Sequence, residues 1–228
     1  MRFAATALTV VAYAIAMAYV ESAVVVDLNG ALGQRVGELF PLRDAMTVGP
    51  LIAIEVGREA ATLVMLAAVG ILAGRSPLER LAWVAVAFGI WDIAYYGWLN
   101  VFTGWPPSLG TWDVLFLIPL PWTAPIWAPL AVSLALIGFG LLAARRLRSG
   151  AAVRFRGRHL AIAIAGGLLV VLSFTVDAPE LLGGATPAAY AWPLFVVGLG
   201  LGVAAALDAL RVDAFGVAAE RRREVGAG

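Results

Sequence analysis

The sequence predicts an all-α, polytopic transmembrane helix bundle of about six spans, in a single integral membrane domain over residues 1–228. Three observations carry this. First, 62% of the 228 residues are hydrophobic and only 14% are charged, with a mean hydropathy of +0.91. A soluble domain of this length could not hide so much apolar surface. Second, the apolar residues fall in runs long enough to cross roughly 30 Å of hydrocarbon. Third, the arginines collect in alternate connections between those runs, the pattern of the positive-inside rule.

The first run, Phe3 to Val26, is long enough to span and lacks a small-residue cleavage site, so it reads as a span and not as a signal peptide. The second and third cover 49–73 and 80–102. The fourth, 112–146, is too long for one simple span. It opens at Thr111, which reads as an N-cap, and meets Pro119, Pro121, Pro125 and Pro129. Prolines kink or break a helix, so a short interfacial helix over 112–118 followed by a span to about 144 is expected. Runs over 159–178 and 188–211 complete the set. With the N-terminus inside, 13 of 16 arginines are cytoplasmic: Arg2, Arg75, Arg80, Arg145, Arg146, Arg148, Arg154, Arg156, Arg158, Arg211 and Arg221 to Arg223. Both termini then lie in the cytoplasm, and the expected location is the bacterial inner (plasma) membrane, crossed several times.

Between the first two spans, residues 36–46 mix Val36, Leu39, Phe40 and Leu42 with Glu38, Arg43 and Asp44, as a lid on the outer interface would. Trp98, Trp105, Trp112 and Trp192 fit an aromatic belt on that side. Gly198, Gly200 and Gly202 permit close helix packing, either inside the chain or in a homo-oligomer.

Composition also excludes chemistry. There is no cysteine and one histidine, His159, so zinc, copper, haem and iron–sulfur centres lose their usual ligands. No metal and no other cofactor is expected. There is no lysine, which removes Schiff-base chemistry. The basic stretch Arg145 to His159 reads as a topology signal, with contact to anionic lipid as a second reading. No nucleic-acid motif accompanies it, and no nucleic-acid partner is expected.

Against this background stand Glu21 in the first span, Glu55, Arg58 and Glu59 in the second, and Asp92 in the third. Ionised groups at membrane depth are costly and tend to mark a site. Four acids face one arginine, so either some carry a proton or a cation or polar ligand joins them. Glu55, Arg58, Glu59 and Thr62 recur at helical spacing and form one stripe; Asp92, Tyr95 and Tyr96 form another, with Gly89 a turn earlier. At 1.5 Å per residue, Glu21 and Glu55 lie roughly 8 Å below the outer boundary, and Glu59 and Asp92 roughly 15 Å. Packing of spans one to three would let all four acids reach one cavity in the outer half, with Asp113 at its mouth. A helix-internal Glu–Arg–Glu brace is the structural alternative to a binding or proton-handling site. Asp177, Glu180, Asp208 and Asp213 read as solvated helix ends.

The line Phe88-Gly-Ile-Trp-Asp92-Ile-Ala-Tyr-Tyr-Gly-Trp-Leu-Asn100, with Trp105-Pro and Thr111-Trp-Asp-Val-Leu-Phe-Leu-Ile-Pro-Leu-Pro-Trp122, resembles a family of uncharacterised bacterial multi-pass membrane proteins. Residues 10–145 are also similar to the sterol-isomerase and sigma-2-receptor (EXPERA) superfamily. Its members carry an acid in the first span, a glutamate in the second, and an aspartate followed by aromatics in the third. A tryptophan of the fourth lines an apolar, amine-binding pocket. Glu21, Glu55 or Glu59, Asp92 with Tyr95 and Tyr96, and Trp122 or Trp127 occupy the matching positions. The chain departs from that pattern in having two further spans and no histidine near the first acid.

The function expected from these residues is an outer-half acidic and aromatic pocket for a lipophilic or cationic small molecule, with membrane lipids as the other partner. An enzyme built on it would be an acid–base, isomerase-type lipid enzyme, with Glu59 and Asp92 as the proton-exchanging, catalytic pair. Glu21, Glu55, Arg58, Tyr95, Tyr96, Asp113 and Trp122 would bind the ligand. A proton- or cation-coupled transporter and a non-catalytic subunit or assembly factor of a membrane complex are the alternatives.

Overall fold

The computed structural model describes residues 3–31, 33, 35–37, 49–151, 153, 155–187 and 189–225. Most of the expected lid, 38–46, lies outside the described residues, as do Arg2, Arg154 and the side chains of Arg211, Asp213 and Arg221 to Arg223. Six described helices are long and apolar enough to cross a membrane. They are α1 (Phe3–Ala31), α2 (Gly49–Ala73), α3 (Pro77–Thr103), α4 (Trp127–Arg148), α5 (Gly157–Thr175), which a short α6 (Ala178–Leu182) extends, and α7 (Trp192–Val225).

The fourth stretch differs from expectation. Residues 112–118 form no helix. Strand β1 (Trp112–Phe116) pairs antiparallel with β2 (Trp122–Pro125), with a bulge between Val114 and Phe116. Ile118, Leu120 and Ala124 each precede a proline, a position biased to extended backbone, and Trp112, Val114 and Phe116 suit a strand. Thr111 is accordingly not an N-cap; its carbonyl accepts from the Ile126 N–H at 2.9 Å, at the base of the hairpin. Pro129 sits in the first turn of α4, where a missing N–H costs nothing.

Helix α3 is the hub, packing against α1, α2 and α4. Its first turn is capped by Ser76, which accepts from the Glu79 N–H at 3.2 Å, with Pro77 at the first helical position. Two glycines bring α3 and α4 together. A Cβ on Gly89 would lie 2.6 Å from the Ser133 carbonyl oxygen, and one on Gly140 2.7 Å from that of Ala82. Helices α5 and α7 form a second tight pair. Cβ atoms on Gly166 and Gly198 would lie 2.6 and 2.7 Å from each other's carbonyl oxygens, so part of the glycine stripe packs inside the chain; Gly200 meets nothing.

The end remote from the hairpin is fastened by Arg148. It pairs with buried Glu79, donates to Thr6 Oγ1 at 2.8 Å and to the Ala73 carbonyl at 3.0 Å, and lies over the rings of Phe3 and Trp83. One guanidinium thus ties α1, α2, α3 and α4. Arg146 bonds the Leu210 carbonyl, and Asp208 accepts from Arg158 and from buried His159. Several arginines that read as topology charges therefore make specific packing contacts, and Asp208 is paired with them. The aromatic belt is similarly engaged: Trp98 donates to the Ile15 carbonyl, Trp105 packs on Tyr96 and Gly37, Trp112 meets Tyr190, and Trp192 stacks on Trp127.

Candidate functional site

The acids form a chain of pairs across the hairpin end of the bundle. On α2, the spacing of Glu55 and Arg58 places both on one face, and the Arg58 guanidinium holds Glu55 with Nε–Oε2 at 2.9 Å. The same guanidinium pairs with Glu21 of α1, whose Oε2 also accepts from Thr62 at 2.9 Å. The brace is therefore between helices as well as within one.

Glu59, one turn from Glu55, turns to the hairpin. Both its oxygens accept the Leu117 N–H, at 3.0 and 2.9 Å. Leu117 follows β1 directly, and Glu59 lies about 15 Å along α2 from its start at 1.5 Å per residue. Irregular backbone at such depth is tolerated only when its polar groups are satisfied inside the protein. Glu59 supplies that acceptor, while Pro119 and Pro121 at the tip carry no N–H at all. Replacing Glu59 by leucine should strand the Leu117 donor and cost about 1–3 kcal/mol. Glutamine, which keeps an acceptor, should melt close to the wild type. Three equal thermal melts in detergent would show that this bond does not hold the hairpin.

Tyr96 secures the base of the same hairpin, its hydroxyl donating to Asp113 Oδ2 at 2.8 Å; Asp113 Oδ1 accepts the Val114 N–H at 2.8 Å. Asp113 is buried on the hairpin between spans. Loss of water raises its carboxyl to about 7, reinforced by nearby Asp92 and opposed by the Tyr96 and Val114 bonds. Tyr95 stands at the middle of the chain of pairs, within electrostatic reach of Asp113, Arg58, Glu55 and Asp92, and it packs edge-on to Tyr96 at 5.2 Å.

Asp92 faces the other way. It is 8% exposed, and its Oδ2 accepts from Ser133 of α4 at 2.8 Å. The close crossing at Gly89 brings Ser133 to it. Asp92 and Ser133 line a cavity of about 510 Å³ between the α3–α4 and α5–α7 pairs. Leu115, Phe116 and Trp122 of the hairpin line one end; Val153, Phe155 and Leu210 line the other. Its middle is almost wholly Ala, Gly, Val, Leu and Phe, from all four helices. Helices α3 and α5 scarcely meet, and exposed Leu81 and Gly167 line the cavity from either side, so it opens laterally between them.

The sequence-derived site residues are thus divided. Asp92 and Trp122 line this cavity; Glu21, Glu55, Arg58, Glu59, Tyr95, Tyr96 and Asp113 do not. Among the described residues no hydrogen bond joins Glu59 to Asp92, and their partners, Leu117 and Ser133, lie on different elements. Trp127, the alternative match on the fourth span, is stacked on Trp192 and is 41% exposed.

Ser133, Glu79 and Arg148 were not anticipated. A lone serine in the apolar run 127–144 was the available signal for the first. Ser76-Pro77-Leu78-Glu79, a helix-start pattern, was the signal for the second. Nothing local marks Arg148 among its neighbouring arginines. Among the described residues no group of histidine and acidic side chains could hold a metal ion. Scanned against protein-family models, curated proteins and solved structures, the chain matches none of them.

Proposed function

We propose that the chain is a multi-pass protein of the bacterial inner membrane, with both termini in the cytoplasm, that binds a lipophilic small molecule in the lateral cleft. The observation that carries this reading is an apolar cavity of about 510 Å³ with a carboxyl–hydroxyl pair, Asp92 and Ser133, set into its wall. That volume falls within the roughly 300–1,000 Å³ common for small-molecule sites. In this orientation the hairpin closes the outer end, and the arginines around Arg148 and Arg158 face the cytoplasm. Of the positions that resemble the sterol-isomerase and sigma-2-receptor superfamily, Asp92 and Trp122 line the cleft, whereas Glu21, Glu55, Glu59, Tyr95 and Tyr96 do not. If the protein is an enzyme, Asp92 is the acid–base group facing the ligand, and Glu59 acts by holding the hairpin.

A transporter would need polar groups continuing to the far end. Thr62 is bonded to Glu21, Asp208 to His159 and Arg158, and the cleft beyond Asp92 is lined by apolar residues. These contacts favour a binding site over a conduit.

Mass spectrometry of the lipophilic molecules that co-purify in mild detergent tests the proposal. Ala163, which lines the cleft from α5, replaced by tryptophan should remove a component that the wild type retains. A lipid profile identical in both proteins, and identical to the bulk membrane, would sink it.

A further inference from the structure

We infer that the cleft selects an amphiphile whose polar group is a hydrogen-bond donor, an alcohol or an amine on a long apolar body, seated on Asp92. This rests on the reading of the cleft as a binding site and adds the chemistry of the ligand's head.

The argument is a count of donors and acceptors. Asp92 is nine-tenths buried, and only its Oδ2 takes a hydrogen bond, from Ser133. Among the described residues its Oδ1 has no partner. Ser133 has its proton committed to Asp92 and offers only lone pairs. With Asp92 ionised, the polar end of the cleft presents open acceptors; the one unpartnered donor among its described lining, the Trp122 Nε1–H, is itself buried in the wall. No arginine or histidine is among the residues that line it, so nothing there neutralises a phosphate or a carboxylate. An anionic head would face Asp92 with no compensating charge, which a water-poor setting makes expensive. A carbonyl or ether head would leave Oδ1 unpaired. A hydroxyl or an amino group satisfies it, and the aromatic rings of Phe88, Phe116 and Trp122 around the same end suit either. Because the cleft opens between α3 and α5, such a molecule can enter from the bilayer without crossing the hairpin.

Three probes with one hydrocarbon chain separate the possibilities: hexadecanol, hexadecylamine and hexadecanoate. Each is offered to the full-length protein in detergent micelles, and bound copies are counted by native mass spectrometry. The alcohol, the amine or both should bind the wild type at least about tenfold better than the carboxylate. Whichever of the two prevails identifies the source of the donor. In Asp92→Leu that preference should shrink to about twofold or less. In Ala163→Trp binding of all three should be lost. Wild-type binding of the carboxylate equal to that of the alcohol and the amine, still abolished by Ala163→Trp, would overturn the head-group inference and leave the cleft standing. No saturable binding of any probe, or binding indifferent to Ala163→Trp, would overturn the cleft reading itself. The wild-type comparison decides the head group even if Asp92→Leu does not fold.

Discussion

Replacing Arg148 by alanine should destabilise the protein by about 3–5 kcal/mol, the range for breaking a buried ion pair by removing one partner. Glu79 is 2% exposed and would lose its cation, while the Thr6 hydroxyl and the Ala73 carbonyl would lose their shared donor. Because those groups belong to four helices, the loss is expected to be cooperative: one transition at lower temperature, not a separate early melt. Arg148→Lys should fall in between, since an ammonium cannot reproduce the planar fork that reaches Glu79, Thr6 and Ala73 together. Thermal or SDS unfolding of purified protein is the measurement. A wild-type melt for Arg148→Ala would mean that the clamp follows from packing and does not maintain it.

Arg58→Ala should be comparably severe, at about 3–5 kcal/mol, by the same reasoning. It leaves Glu21 and Glu55 without their cation, and among the described residues only Thr62 remains to satisfy Glu21. Asp92→Asn should be mild, within about 1 kcal/mol, because the amide oxygen still accepts from Ser133. The contrast is the informative quantity. If Asp92→Asn unfolds the protein while Arg58→Ala leaves it intact, a bound cation organises the acids and the charge accounting is wrong. Melts of the two variants side by side, with and without divalent cations, distinguish these outcomes.

The spans were legible because some twenty consecutive apolar residues have few other uses. The Glu55–Arg58 pair was legible because residues three apart on a helix are neighbours wherever the helix packs. What lay beyond reach was the direction each side chain faces once helices choose partners. Asp92 and Glu59 carry similar helical signals, yet the crossing at Gly89 turns Asp92 to α4 while the hairpin claims Glu59. The hairpin itself escaped because a short apolar run with prolines reads equally as a broken helix or a strand pair. Periodicity cannot arbitrate over five residues. The contribution of α5 and α7 to the cleft was invisible for a related reason: glycine and alanine faces mark closeness without saying what they are close to.

The central position of α3 bears on how the chain is assembled. It is the least apolar of the six candidate spans and the most enclosed. It carries Glu79 and Asp92; beyond Trp83 of α3 itself, which donates to Glu79, their partners lie on α4 or in the turn before α3. Alone in lipid it would be a poor insertion substrate. It emerges from the ribosome after α1 and α2, the two helices that cover one of its sides, and just before α4, which supplies Ser133 and Arg148. Biogenesis thus hinges on the interval between synthesis of residue 77 and of residue 148, when the helix that organises the fold is the one least suited to wait in the membrane unaccompanied.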